Sequence, residues 1–382
     1  MFEKVADVVI IGGGIHGCSL AYHLAKKGCK NVVLLGQKFL TYGGTGRSGG
    51  GVRHQFGTEI NCILAKYNVE SFKKLSEELD YPKGIEFEQG GYLWIAYTER
   101  QFRQLEKNVN LQNKLGIPSK MLSPEEIKDA FPYLNIEGII GGSFCEEDGH
   151  INPFHATMAY AEAAKRLGVT IRIYTKAIGI KVKGDKVTGV QTEKDFISTP
   201  IVVNCAGPWG KEIASWVGID LPLYPERHQI LVTEPVDRVL KALILCLDDG
   251  SYWKQTPMGN FMLGIGNPLE VRALNMNSSW SFLEEAARKV VRKMPLLSGV
   301  RVIRQWAGIY DITPDSQAIL GPTPIGGFYL NLGWSGHGLQ FAPSIGRALA
   351  ELILGEAPFI DISPFFFERF EKGKLIPEPA CI

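Results

Sequence analysis

Apolar runs and helix-periodic stretches alternate at the start of the chain. Residues 8–11 are consecutive aliphatic side chains, which is typical of a strand that is buried on both faces. Residues 19–27 repeat apolar side chains at helical spacing and are followed by Gly28. A second aliphatic run occupies residues 32–35. This order predicts a strand, a helix and a second strand that belong to one parallel sheet.

The later patterns predict further helices and many short strands. Apolar periodicity predicts helices over about 58–79, 154–168, 279–293 and 339–354. Ser123 followed by Pro124 and by Glu126 is typical of a helix start. Short apolar runs predict strands at 91–95, 170–174, 178–183, 187–192, 201–205 and 327–332. Strands are favoured from about residue 85 onward and again over 221–311, and no internal repeat or linker separates the segments.

Composition and charge exclude several classes of partner. The 382 residues are 45% hydrophobic, which is enough to build two domains with large cores. The 41 basic and 40 acidic residues leave a net charge of +1, which argues against nucleic acid or an anionic membrane as partner. No stretch approaches the roughly 20 apolar residues of a membrane span. The chain starts without the pattern of a signal peptide, and we expect a cytoplasmic protein.

The cysteines are scattered and never spaced as CxxC. This spacing predicts neither a disulfide framework nor a metal or iron–sulfur site. We expect small buried thiols at all seven positions, which are Cys18, Cys29, Cys62, Cys145, Cys205, Cys246 and Cys381.

A glycine fingerprint lies between the first predicted strand and its helix. Residues 12–17 read Gly-Gly-Gly-Ile-His-Gly and fit G-x-G-x-x-G. In this motif Gly12 permits the tight turn, Gly14 lets the backbone approach a pyrophosphate, and Gly17 lets the helix pack closely on the strand. The phosphates then lie at the helix N-terminus, beside Ile15 and His16. The context predicts a bound dinucleotide.

One part of the fingerprint is missing. An acidic residue that holds the adenosine ribose is expected about 20 residues further on, at the end of the second strand. Gly36 occupies that position, followed by Gln37 and Lys38. The backbone, Gln37 or water would then hold the ribose, with Lys38 nearby. A glycine beside a base is also compatible with a 2′-phosphate, which leaves an NADP-dependent enzyme as an alternative.

Motifs elsewhere in the chain resemble those of the D-amino-acid oxidase family of flavoproteins. They are the glycine-rich residues 43–53, the segments 204–209, 304–308 and 313–315, Gly333-Trp334-Ser335-Gly336-His337-Gly338, and the tail 369–373. More narrowly, the chain is similar to the β subunits of dye-linked L-proline dehydrogenase and sarcosine oxidase. The order and spacing of these motifs carry the resemblance, which covers nearly the whole chain.

The resemblance implies an α/β fold with two interleaved domains. One is a Rossmann-like FAD-binding domain, and the other is an α+β substrate domain built on a large, mostly antiparallel sheet. We expect the FAD-binding domain to comprise residues 1–80, 148–218 and 318–382. Residues 81–147 and 219–317 then form the substrate-binding domain.

The resemblance also implies which residues contact a non-covalent FAD. Gly308 stands where monomeric sarcosine oxidases carry the cysteine that binds the flavin, so no covalent link is expected. The positive end of the predicted helix 339–354 and nearby backbone N–H groups would stabilise negative charge on the reduced flavin. Besides the fingerprint, the expected contacts are Gly44, Thr45, Arg47, Ser48, Gly49, Gly50, Ala206, Gly207, Trp209, Gly308, Gly333, Gly336, His337, Gly338, Leu339 and Gln340.

Three residues are candidates for the substrate site. Arg53 corresponds to the family's arginine that holds the substrate carboxylate, and a guanidinium can do so through two parallel hydrogen bonds. Tyr252 resembles a tyrosine that lines the family's pocket, and His337 is a candidate hydrogen-bond donor. His54 is a weaker candidate. His228 and Gln229 match proline-dehydrogenase-like β subunits, and we interpret both as packing residues.

The implied reaction is oxidation of an amino acid or a secondary amine, with L-proline as the leading candidate. Hydride would pass from the carbon that bears nitrogen to flavin N5. Met262 stands where oxidases of the family carry a lysine that promotes the reaction with oxygen, so we expect a dehydrogenase. Its electrons would leave to a larger α subunit or a dye, and FMN at a subunit interface is left open. A sarcosine or glycine oxidase and a non-catalytic nucleotide-binding subunit remain alternatives.

Overall fold

The computed structural model describes residues 4–267 and 269–379. Cys381 and the outermost residues of the predicted ranges 1–80 and 318–382 lie outside the described part. The helices are α1 (Ile15–Lys26), α2 (Glu59–Glu78), α3 (Glu99–Lys114), α4 (Pro124–Ala130), α5 (Pro153–Arg166), α6 (Gly210–Ser215), α7 (Trp280–Lys293), α8 (Ala342–Ile353) and α9 (Glu368–Glu371). Short 3-10 helices lie at Thr45–Arg47, Gly207–Trp209, Pro295–Gly299, Gly338–Phe341 and Ser363–Phe365.

The strands are numbered along the chain. They are β1 (Lys4–Val5), β2 (Val8–Ile11), β3 (Val32–Leu35), β4 (Gly51–Val52), β5 (Glu88–Gln89), β6 (Tyr92–Ala96), β7 (Lys120–Leu122), β8 (Gly141–Cys145), β9 (Gly149–His150), β10 (Thr170–Arg172), β11 (Ala177–Lys183), β12 (Lys186–Thr192), β13 (Phe196–Ser198), β14 (Val202–Asn204), β15 (Tyr224–Pro235), β16 (Leu243–Cys246), β17 (Tyr252–Gln255), β18 (Asn260–Gly264), β19 (Val302–Ile312), β20 (Ile319–Pro322) and β21 (Phe328–Leu332).

A six-stranded sheet carries the predicted β–α–β unit. Its order is β10-β3-β2-β14-β21-β20, parallel except for the antiparallel edge strand β20. Helices α1, α2, α5 and α8 share one apolar core with one face of this sheet. Strands β11–β13 and helix α6 cover the opposite face. Burial on both faces explains why β2 and β3 are continuous aliphatic runs.

An eight-stranded sheet forms the second large layer. Its order is β19-β15-β18-β17-β16-β6-β8-β7, and neighbours are antiparallel except for the pair β16 and β6. Helices α4 and α7 pack on one face. The other face presents the aromatic side chains Tyr92, Trp94 and Tyr252. The predicted fold class, a Rossmann-like sheet with a second, mostly antiparallel sheet, is confirmed.

The chain passes between the two sheets more than once. The six-stranded sheet draws its strands from residues 8–35, 170–204 and 319–332, and the eight-stranded sheet from 92–145 and 224–312. The predicted domain ranges alternate along the chain in the same order as these groups of strands. The exact domain boundaries remain predictions.

Predicted helix positions agree with α2, α5 and α7 to within two residues. The predicted helix 339–354 divides into the 3-10 turn Gly338–Phe341 and α8. The expectation of short strands from about residue 85 is wrong for α3, which has 16 residues. Thr98 caps this helix by accepting a hydrogen bond from the backbone N–H of Gln101. Among the described residues, no helix combines the length and apolar composition that a membrane span requires.

Candidate active site

Two adjoining cavities open where the six-stranded sheet meets the eight-stranded one. The larger has a volume of about 350 Å³ and the smaller about 120 Å³. Four residues line both cavities, namely Ser48, Tyr310, Gly336 and Leu339. A ligand in the larger cavity would therefore be next to one in the smaller.

The glycine fingerprint forms one wall of the larger cavity. Gly12 has a φ of 136°, and a side chain there would overlap the carbonyl oxygen of Cys205. Gly14 precedes the first residue of α1 and also lines the cavity. Gly17 does not line it, because this residue packs against the carbonyl oxygen of Gly12. The N-terminus of α1 thus borders the cavity, where a pyrophosphate would lie, and the N–H of Ile15 donates to Thr45 Oγ1 at 3.2 Å.

The distant end of the larger cavity is lined by the segment that follows β3. Gly36, Gln37 and Lys38 line this end together with residues 175–177, the last of which begins β11. The N–H of Gly36 donates to Arg172, and its carbonyl accepts from Thr175. A Cβ atom at Gly36 would lie 3.2 Å from the carbonyl oxygen of Lys38. A side chain at the position where the fingerprint expects an acid would therefore require a small local shift.

The second glycine-rich segment joins the two cavities. Gly44 and Thr45 line the larger cavity, Gly49 and Gly50 line the smaller, and Ser48 lines both. Gly50 has a φ of 76°, and a side chain there would overlap the carbonyl oxygen of Ile151.

Three other predicted FAD contacts lie outside both cavities. The Arg47 guanidinium donates to the carbonyl oxygen of Tyr42 and lies 5.1 Å from its ring centroid, so this side chain stabilises the loop. Gly308 packs against the Cβ atom of Arg47. Gly333 does not line a cavity either, and its N–H donates to Asp311 Oδ2 at 2.7 Å. The predicted contacts Ala206, Gly207 and Trp209 do line the larger cavity.

Asp311 is a buried carboxylate in the larger cavity that the sequence analysis missed. Burial raises the pKa of Asp311 to about 6. Its backbone oxygen also accepts from the N–H of Ser335. The N–H groups of Gly333 and Ser335 are thus engaged by Asp311, whereas Gly336, Gly338 and Leu339 of the same turn line the larger cavity. The sequence signal that could have revealed Asp311 is that it is the one acidic residue within strand β19.

His16 joins the first glycine motif to the last. Its Nε2 lies 2.8 Å from the carbonyl oxygen of Gly338, and its ring stacks on Trp334 with centroids 4.4 Å apart. Because a carbonyl only accepts, Nε2 carries the proton and Nδ1 offers a lone pair. Burial lowers the pKa of His16 to about 4, so the ring is neutral. Nδ1 is buried without a protein partner and can accept a bond from a hydroxyl group of a dinucleotide.

Arg53 lies in the smaller cavity and is 7% exposed. Its guanidinium carbon lies 4.0 Å from the ring centroid of Phe56 and 4.8 Å from that of Trp94. Nη1 donates to the carbonyl oxygen of Gln55, and the backbone N–H donates to Gln340 Oε1 at 2.8 Å. A buried cation held between two aromatic rings is well placed to hold a carboxylate.

Tyr252, His337 and His228 line the same cavity. Burial lowers the pKa of His337 to about 3, with the Arg53 charge as a further cause, so this ring is neutral. Burial also raises the pKa of Tyr252 well above its usual value. His228 stacks on Tyr310 with centroids 3.7 Å apart, and its Nε2 lies 3.0 Å from Glu226 Oε1.

His228 therefore packs on Tyr310 and also lines the smaller cavity, whereas Gln229 bonds Ser279 away from the cavity. His54 does not line either cavity and pairs with Asp148 instead.

Met262 lines neither cavity, but its cross-strand partner is a buried lysine. Lys254 on β17 lies directly opposite Met262 on β18. Burial lowers the pKa of Lys254 to about 7. Its Nζ lies 3.5 Å from where a Cβ atom of Gly50 would be, next to the wall of the smaller cavity. The sequence analysis missed this cation because strand register cannot be read from the sequence.

The chemistry of the larger cavity suits FAD. The residues that line it extend from 36–38, past the N-terminus of α1, to the turn at 336–339, where the cavity adjoins the smaller one. The unpartnered Nδ1 of His16 and the two glycines that exclude side chains, Gly12 and Gly14, provide places for hydroxyl and phosphate groups.

Comparison with known proteins identifies relatives over the whole chain. Sarcosine oxidase subunit beta from Arthrobacter sp. is 30% identical over 382 residues, which cover 98% of this chain and 94% of that protein. The crystal structure of L-proline dehydrogenase from P. horikoshii has a TM-score of 0.92 and 34% sequence identity, with 98% of this chain and 100% of that chain covered.

A third relative is named as a regulatory subunit rather than as an oxidoreductase. The mitochondrial pyruvate dehydrogenase phosphatase regulatory subunit of Mus musculus is 29% identical over 96% of this chain, which spans 43% of that protein. The family described as FAD dependent oxidoreductase matches residues 7–352. The chain therefore belongs to this DAO family of FAD-dependent oxidoreductases, which confirms the predicted resemblance and the expectation of FAD.

Proposed function

We propose that this chain oxidises a small amino acid or secondary amine, with L-proline as the leading substrate. The observation that carries the proposal is a buried arginine, Arg53, in a cavity of about 120 Å³ that adjoins the predicted FAD cavity. The size of the cavity favours a small molecule, and the guanidinium favours a carboxylate. The names of the relatives, sarcosine oxidase and L-proline dehydrogenase, support the same substrate class.

FAD, when bound, would supply the hydride acceptor at N5 for the carbon that bears the substrate nitrogen. The chain's own residues hold and orient the substrate. Arg53 binds the carboxylate and so fixes the adjacent carbon relative to the larger cavity. Tyr92, Trp94 and Tyr252 line the smaller cavity and exclude water, which favours the neutral form of the amine.

His228 is the cavity residue best placed to take the proton that the ammonium form must lose. Its contact with Glu226 would stabilise the imidazolium after proton transfer. Hydrogen bonding to His228 holds the pKa of Glu226 below its usual value, so Glu226 is available as an anion. His337 is less suited, because burial and the nearby Arg53 charge disfavour its protonated form.

The electrons would leave this chain to a second subunit or to a dye. The described cysteines are free thiols, and the sequence contains no CxxC ligand pair for an iron–sulfur cluster. A relative named as a beta subunit supports a hetero-oligomer with a larger α subunit. FMN at the interface of the two subunits and a cytoplasmic location belong to the same proposal.

The test is anaerobic titration of the purified, FAD-loaded chain, followed by its visible spectrum. Bleaching by L-proline but not by sarcosine supports the proposal in full. Bleaching by sarcosine instead moves the substrate to that branch of the family. A coloured protein that none of these amines bleaches would overturn the proposal.

A non-catalytic role is the second candidate function. It is favoured by the similarity to a phosphatase regulatory subunit, although that protein is more than twice as long as the matched region. This role requires that FAD binds without turnover. The two candidates differ in one result, which is bleaching of bound flavin by an amine.

A further inference from the structure

Asp148 is a fully buried carboxylate outside both cavities, and its hydrogen bonds converge on the residues that follow Arg53. We propose that Asp148 is a positioning residue, which holds the Arg53 guanidinium in the orientation that receives a substrate carboxylate. The inference rests on the proposed role of Arg53 and extends it to a residue that does not touch the substrate.

Asp148 accepts three hydrogen bonds from two consecutive residues. Its Oδ1 accepts from the backbone N–H of His54 at 2.6 Å and from the ring Nδ1 of His54 at 2.7 Å. Its Oδ2 accepts from Gln55 Nε2 at 3.0 Å. Since an ionised carboxylate only accepts, the shared proton lies on His54 Nδ1. Three donors compensate for burial of the charge, and they fix both the backbone and the side chains of residues 54–55.

Gln55 connects this carboxylate to Arg53. The carbonyl oxygen of Gln55 accepts a hydrogen bond from Arg53 Nη1. The Gln55 side chain is held at its other end as well, because Ser143 Oγ donates to its Oε1 at 2.8 Å and its Nε2 also donates to the carbonyl oxygen of Tyr92. The position of this carbonyl therefore depends on the Asp148 network, and the guanidinium follows the carbonyl.

A second hydrogen bond holds the backbone of Arg53. Its backbone N–H donates to Gln340 Oε1, and Gln340 lies in the 3-10 turn that lines the smaller cavity. Phe56 and Trp94 pack against the guanidinium, whose carbon lies 4.0 and 4.8 Å from their ring centroids. The bond from Nη1 to the Gln55 carbonyl then fixes the rotation of the guanidinium. Bidentate binding of a carboxylate depends on this orientation.

His54 and Asp148 also form a candidate metal cluster with Cys145, since each of the three has a ligand atom within 4.8 Å of the others. The geometry favours hydrogen bonding. His54 Nδ1 and Asp148 Oδ1 are 2.7 Å apart, which is shorter than the separation of two atoms that bind one metal at about 2.0–2.2 Å in a tetrahedron. Burial also raises the pKa of the Cys145 thiol, which disfavours the thiolate that a metal requires.

The experiment compares Asp148→Asn with the parent protein, and Cys145→Ala is the matched control. Cys145 is equally buried and lies 3.9 Å from His54 Nδ1, but it takes no part in the bonds between Asp148 and Arg53. The probes are pyrrole-2-carboxylate and its uncharged amide. Binding is measured by calorimetry and by quenching of the intrinsic tryptophan fluorescence, with thermal unfolding and metal content recorded for each variant.

We expect Asp148→Asn to weaken binding of pyrrole-2-carboxylate about tenfold, the effect of misaligning one charge-assisted hydrogen bond. Binding of the amide and of FAD should change less than about twofold by the same reasoning, and Cys145→Ala should affect neither probe. Gln55→Met is a second variant, which removes the link to Asp148 while the carboxylate keeps both bonds to His54. Gln55→Met should also weaken binding of the carboxylate. It therefore tests the inference even if Asp148→Asn fails to fold.

Equal weakening of both probes, or a change in unfolding temperature alone, would show that Asp148 is only structural and would overturn the inference. Stoichiometric metal that is lost in Cys145→Ala would overturn it in favour of a metal site. Arg53→Met separates this inference from the proposed function. If Arg53→Met does not reduce the preference for the carboxylate over the amide, the proposed clamp is wrong. If Arg53→Met does reduce the preference for the carboxylate over the amide, but both Asp148→Asn and Gln55→Met leave that preference intact, only the positioning role of Asp148 is wrong.

Discussion

At the scale of single residues, Arg53 carries the strongest prediction for the substrate. We expect Arg53→Lys to lower kcat/KM for L-proline by about 30- to 100-fold, because an ammonium cannot form the two parallel bonds of a guanidinium. Oxidation of pyrrolidine, which lacks the carboxylate, should change far less. Steady-state kinetics with a dye acceptor measures both, and Arg103→Lys at an exposed position serves as control. An equal loss of kcat/KM for L-proline and pyrrolidine would contradict the role of Arg53 in binding the substrate carboxylate.

Lys254 carries a prediction about pH and stability. Burial lowers its pKa from 10.5 to about 7. Between these values the unfolded chain binds a proton that the native protein does not, so the free energy of unfolding contributed by Lys254 rises with pH. Below about pH 7 both states are protonated, and the native protein bears the full cost of the buried charge.

Lys254→Met should therefore unfold at a higher temperature than the parent at pH 6, and the difference should shrink as the pH rises towards 10.5. Thermal unfolding at a series of pH values measures the difference. Lys183→Met, at an exposed position, provides the baseline. A difference that does not vary with pH would contradict the lowered pKa of Lys254.

At the scale of elements, the turn between β2 and α1 makes a prediction about FAD. Gly12→Ala combines a positive φ with overlap on the Cys205 carbonyl, so the turn at the cavity wall must shift. Gly28 is a matched control, because it also has a positive φ, of 93°, but has no atom within 4 Å of an added Cβ. Gly28→Ala should cost about 1 kcal/mol of stability and keep FAD.

Gly12→Ala should cost more stability and purify with less than about a tenth of the FAD, since strain and overlap act together at a phosphate-binding turn. The ratio of flavin to protein absorbance and the unfolding temperature measure the two effects. Full retention of FAD in Gly12→Ala would show that the first fingerprint does not contact the cofactor.

Local patterns predicted most of the elements and part of the site. The β2–α1–β3 unit, α2, α5 and α7 are readable because each is specified by neighbouring residues. Helix α3 was missed because its apolar residues are few among charged ones. Asp311, Lys254 and the role of His16 were missed for another reason. Each acquires its function from a partner more than 20 positions away or on another strand, and a single sequence does not contain that register.

At the scale of the whole molecule, the two sheets meet at the cavities, and Lys254 lies next to the wall of the smaller cavity with a pKa lowered to about 7. A positive charge beside a reduced flavin stabilises the negative charge that develops when oxygen accepts an electron. Met262 cannot supply this charge, whereas Lys254 supplies it only below about pH 7. Oxygen reactivity should therefore be low at alkaline pH and rise on acidification.

The measurement is stopped-flow reoxidation of the FAD-loaded, photoreduced chain by air-saturated buffer, compared with reoxidation by a dye. We expect the dye to react at least about tenfold faster than oxygen at pH 8.5, where Lys254 is neutral. Acidification to pH 6 should accelerate the reaction with oxygen, and Lys254→Met should abolish that acceleration without slowing the dye. Fast peroxide formation at pH 8.5 in both the parent protein and Lys254→Met would contradict this prediction and identify the chain as an oxidase. At that pH neither Met262 nor Lys254 carries the positive charge on which the prediction is based.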